Sequence, residues 1–77
     1  MSRLVLIEWL DSHYVPGWHT DAPEEKPLLC RSVGWLIHDG EEAKVIASHV
    51  TNENPPQRNG EMTIPTRAVV QMKELAS

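Results

Sequence analysis

The chain has 77 residues, with seven Lys+Arg against eleven Asp+Glu and a formal net charge of −4. That length makes one small domain, residues 1–77, and a chain so short buries only about 60% of the surface it exposes when unfolded. Cys30 is the only cysteine, which excludes an intrachain disulfide and suits a reducing cytosol, and the lack of any basic run removes the footprint that duplex nucleic acid requires.

The opening stretch, MSRLVLIEWL, is too short for a signal-peptide core or a membrane span, so the expectation is a soluble cytoplasmic protein. Within it LVLIEWL, residues 4–10, is rich in branched and aromatic side chains and reads as a first strand. It is apolar on both faces except at Glu8, which predicts a central place in a sheet. DSHYVPGWHTDAPEEKP, residues 11–27, holds three prolines and a glycine and cannot keep regular structure. Loops of this length are uncommon in compact domains and often functional.

A second strand is expected over residues 28–38 and a third over 42–51. Leu29, Val33, Trp35 and Ile37 share a bulky face of the second strand, and Leu28, Cys30, Ser32, Gly34 and Leu36 share the other. Asp39-Gly40 is a strong signal for a two-residue type I′ hairpin turn. In that register Val33 faces Ile46, Gly34 faces Val45 and Cys30 faces His49, and a longer turn would keep the same faces together. A mid-strand glycine at Gly34 makes sense where the sheet bends or another backbone comes close.

TNENPPQRNGE reads as a second loop, with Asn59-Gly60 as a tight turn before a short fourth strand at residues 61–65. The tail is open between two readings. Ala68, Met72 and Leu75 could line a helix, or Ala68, Val70 and Met72 could alternate along a fifth strand.

This order of elements, with TIPTRAVV before the last strand, resembles SH3-like small barrels, in which a proline-started helical turn joins the final two strands. The resemblance implies a mainly β, five-stranded barrel with a long loop after strand one. It does not carry over a proline-peptide groove, because WLDSHY stands where the Ala-Leu-Tyr-Asp-Tyr-type motif would be and Ala68 replaces the closing-turn tyrosine. WLDS, SVGWLI and TIP are also similar to stretches of uncharacterised small proteins of tailed phages and prophages. That similarity implies an accessory protein that binds a host component.

Chemical motifs are sparse. His13 and His19 share the long loop with Asp11 and Asp21, and Cys30 with His49 could supply two zinc ligands, but no C-x-x-C or H-x₃-H spacing exists; no metal or cofactor is expected. Ser12-His13 adjacency does not place a nucleophile against a base. Cys30 in an apolar strand is inert, so no enzyme is expected. Trp9 and Trp35 are expected in or around the core. Tyr14 and Trp18 either cap an open barrel end or anchor a partner, since exposed aromatics are the usual interface anchors. Arg31 and Lys44 are expected where the sheet meets solvent.

The candidate binding set is therefore Tyr14, Trp18, His19, Arg31 and Trp35, in a module that binds a host protein or its own copy. The alternative is a small-molecule (nucleotide) or single-stranded nucleic-acid binder, with aromatics stacking on bases and Arg31 or Arg58 meeting phosphate.

Overall fold

The computed structural model describes residues 3–12 and 14–75. The elements are β1 (Arg3–Asp11), β2 (Leu28–Asp39), β3 (Ala43–Val50), β4 (Arg58–Pro65), a 3₁₀ turn η1 (Thr66–Ala68) and β5 (Val69–Glu74). They form one five-stranded sheet in the order β4-β3-β2-β1-β5, with every neighbouring pair antiparallel. The protein is mainly β, and β4 and β5 are the two edges of the sheet. Among the described residues no helix is long and apolar enough to cross a membrane.

Strand β1 lies inside the sheet between β2 and β5, as its two apolar faces suggested. Val5 and Ile7 are fully buried and share a face with Gly34 and Ser32 of β2, which lie opposite them. Leu36, Ile46 and Ile64 complete the core, with Trp9, Val69 and Met72 packed against it. Full burial of one aliphatic side chain contributes about 1.5–3 kcal/mol before the entropy of ordering is set against it. A core of five such residues is small.

The β2–β3 hairpin departs from the two-residue turn. Gly40 does not adopt the positive φ that a type I′ turn demands; only Gly17 and Gly60 do among the described residues. β2 runs on to Asp39 and β3 starts at Ala43, and the Gly40 amide donates to the Ala43 carbonyl at 3.0 Å. Leu36 faces Ile46, His38 faces Val45, and the register shifts between them, leaving Ile37 as a bulge. One extra residue reverses the alternation of side chains. With the longer loop as well, Ile46 pairs with Leu36, and Val33 has no partner on β3. The face with Gly34 and Leu36 turns to the core, and Val33, on the other face, is 57% exposed.

Gly34 itself meets the expectation set for it. A Cβ there would lie 3.0 Å from both the Ala47 carbonyl oxygen and the Ile46 Cβ. The pairing of β2 with β3 ends at Trp35↔Ala47, so the first half of β2 pairs with β1 alone.

The tail is a strand. Pro65 leads into η1, where the Thr66 amide donates to the Glu42 carbonyl (2.9 Å) and its hydroxyl to the Gly40 carbonyl (2.8 Å). β5 then runs back along β1, placing Met72 opposite Ile7, and the Leu75 amide donates to the Leu4 carbonyl at 2.9 Å. Helical spacing would have left this β1 edge bare.

Candidate binding arm and strand edge

The connection between β1 and β2 is an arm. Pairing of the two strands continues out to Asp11↔Leu28, and every described residue between them is exposed. Proline and glycine spacing denies this segment a strand partner of its own, and Gly17 takes φ +91 with open space around it. On either side of that turn stand Tyr14, 85% exposed, and Trp18, fully exposed. They do not cap an end of the sheet. His19 is exposed on the same arm, and so is Ser12, while His13 falls outside the described residues.

The other predicted site residues lie apart from the arm tip. The Arg31 Nε donates to Glu8 Oε2 at 2.8 Å while most of its side chain is in solvent. Trp35 is half-buried, flanked by Leu4 on β1 and Ala47 on β3, on the sheet face away from the core. Trp9 is on the core face, where its indole Nε1–H donates to Ser32 Oγ at 3.0 Å. Lys44 is mostly covered rather than at the solvent boundary, its side chain 14% exposed and paired with Asp39. The hydrogen bond from Lys44 holds the Asp39 carboxyl below the usual carboxylate range.

Beside the arm, β2 offers an unpaired edge. From Leu28 to Gly34 it has β1 on one side and no strand on the other among the described residues. The end of β3 diverges with β4, where His49 faces Asn59 and Val50 faces Arg58. An open cleft of about 250 Å³ separates the two halves, lined by Ser32, Val33, Ala47, Ser48, Gly60 and Met62. Ser32 Oγ and Met62 Sδ approach to 3.7 Å across it.

This divergence also separates Cys30 from His49. Cys30 lies opposite Trp9, not His49, so the two do not form half of a zinc site. Among the described residues no group of three His, Cys, Asp or Glu side chains could hold a metal ion.

One surface escaped the sequence reading. The face of β1 and β2 away from the core carries Leu4, Leu6, Leu10, Leu29 and Val33, and Leu10, Leu29 and Val33 are each more than 40% exposed. Its signal was already present in LVLIEWL, which is apolar on both faces except at Glu8. No family model matches the chain, and no curated protein or solved structure matches it either.

Proposed function

We propose that this chain is a non-enzymatic protein-binding module of the phage or prophage accessory type, acting in the cytoplasm on a host protein or a copy of itself. The observation that carries the reading is the exposure of Trp18 and Tyr14 on an arm that leads directly into the unpaired edge of β2. A large aromatic left in water forfeits the burial free energy that would stabilise the fold, and such side chains are the usual hot spots of interfaces. A free strand edge recruits an extended segment by main-chain pairing. Anchor and edge together describe a partner that adds a strand to β2 and receives Trp18 in an apolar slot. Asp21, Glu24 and Glu25 give the arm an acidic rim, and His19 adds a polar contact at the tip.

The SH3-like barrel belongs to this proposal. The strand order, together with η1 packing against both β1 and β3, supports a sheet that curls around the small core. Arg31 is engaged by Glu8, which weakens the phosphate-binding role that a nucleic-acid reading needs.

The test is a comparison of wild type with Trp18→Ala by affinity capture from the host cell and by thermal melting. The expected outcome is loss of the captured partner with Tm moved by no more than about 4 °C, since the substitution removes no packed contact. A large fall in Tm would make Trp18 part of the core and overturn the reading.

A further inference from the structure

The β1–β2 face turned away from the core is built of four rungs: Leu4–Trp35, Leu6–Val33, Glu8–Arg31 and Leu10–Leu29. Three rungs are apolar and one is an ion pair. Leu10, Leu29 and Val33 are 41%, 51% and 57% exposed, and no layer covers them among the described residues. This surface is separate from the arm tip, and occupancy of one requires no partner on the other.

Two observations indicate what covers it. The first is area. The chain exposes 6437 Å², whereas a compact monomer of its mass exposes about 4,700 Å². The arm contributes to the excess and so does this two-sided sheet, and a standard interface removes about 800 Å² per partner. The second is the charged rung. Glu8 also has Gln71 opposite it on β5, but a foreign apolar surface would desolvate the Glu8–Arg31 pair and bring it no new charged partner.

A second copy, turned about an axis along the hairpin between β1 and β2, sets each β1 residue over its own rung partner on the other chain. Leu6 then meets Val33 of the partner subunit, Leu10 meets Leu29 of the partner subunit, and Glu8 meets Arg31 of the partner subunit. An axis perpendicular to the strands would instead stack like charges where it crosses the Glu8–Arg31 rung and set the charges over apolar side chains where it crosses the Leu6–Val33 or Leu10–Leu29 rung. Charge therefore selects the axis.

We propose that the chain forms an isologous dimer through this face, with its two-fold axis along the β1–β2 hairpin and the Glu8–Arg31 pairs of both copies closed into one ring of four alternating charges. The two sheets pack face to face in the aligned manner of a β-sandwich, about 10 Å apart.

Light scattering on purified full-length chain tests this, with folding checked by circular dichroism. Wild type is expected to weigh as two chains. Glu8→Arg and Arg31→Glu, each alone, are expected to weaken association at least tenfold, and an equimolar mixture of the two is expected to recover the dimer as a heterodimer. Pairing confined within one chain predicts no recovery, so a mixture no better than its components overturns the proposal. Should either charge variant fail to fold, Val33→Lys decides, because that side chain is already exposed and away from the core. A folded monomer is expected, and a folded dimer contradicts the proposal. A wild type that stays monomeric up to about 100 μM, where even a Kd of that size would register, overturns it too, whether a foreign protein or the arm itself covers the face.

Discussion

Gly34 concentrates the constraints on this fold in one residue. It sits where β2 leaves β3, and a methyl group there would press on the Ala47 carbonyl and on the Ile46 Cβ, both at 3.0 Å. Backbone cannot swing aside as a flexible side chain could, so Gly34→Ala should destabilise the protein by about 1–3 kcal/mol, measured as a lowered urea midpoint with an unchanged slope. Asp39 and Lys44 make a second residue-level prediction. The carboxyl titrates below its usual range in the folded state, so its contribution is present above the unfolded-state pKa and is lost as pH falls through the folded value. The stability gap between wild type and Asp39→Asn should therefore be open at neutral pH and close on acidification below about pH 4. A gap unchanged down to the folded pKa would show that the pair adds nothing to stability. The need for glycine at position 34 was legible, because a glycine amid strand-forming neighbours costs stability unless the backbone must bend or be approached closely there. The Lys44 partnership was not, because it depends on the length of the β2–β3 loop, which sets Lys44 opposite Asp39.

The elements divide into those whose boundaries a local pattern sets and those set by their neighbours. β1, β2 and the start of the 3₁₀ turn follow from composition and from Pro65. The β2–β3 register does not, since Asp39-Gly40 is a strong local turn signal, yet Asp39 stays in β2 opposite Lys44 and the connection is longer than two residues. The tail was ambiguous for a related reason: its period is short, and the vacant edge of β1 decides for a strand. Thr66 ties that last connection to the β2–β3 loop through both its amide and its hydroxyl. Thr66→Val keeps the shape and removes the hydroxyl, so the loss should be about 1 kcal/mol, read in the same urea titration. A neutral result would show that the Gly40 carbonyl finds water instead. The arm was readable as a loop, but its aromatics were also compatible with a cap. Packing decides that question, and periodicity carries no information about it.

For the whole molecule, the radius of gyration is 15.8 Å and the longest extent 56 Å against 23 and 22 Å across. A compact chain of this length would have a radius of gyration of about 11–12 Å. The arm and the sheet are thus separate structural parts, one carrying contacts outward and the other holding the fold. Replacing residues 14–24 with a short Gly-Ser turn should leave Tm unchanged or slightly raised, because a shorter loop costs less to close, and should abolish partner capture. A collapse of Tm would mean that the sheet depends on the arm. The dimer face and the arm lie on different surfaces of this body, so a dimer would present two arms, and any partner with repeated sites would bind it with avidity.

The central claim is that the arm stands free of the core, and amide hydrogen exchange on the purified chain tests it most directly. Residues 14–25 are expected to exchange at the rate of an unstructured peptide while Val5, Ile7, Leu36, Ile46 and Ile64 are strongly protected. Protection at Tyr14 and Trp18 comparable to that of Ile7 would contradict the claim, and would return both aromatics to the core.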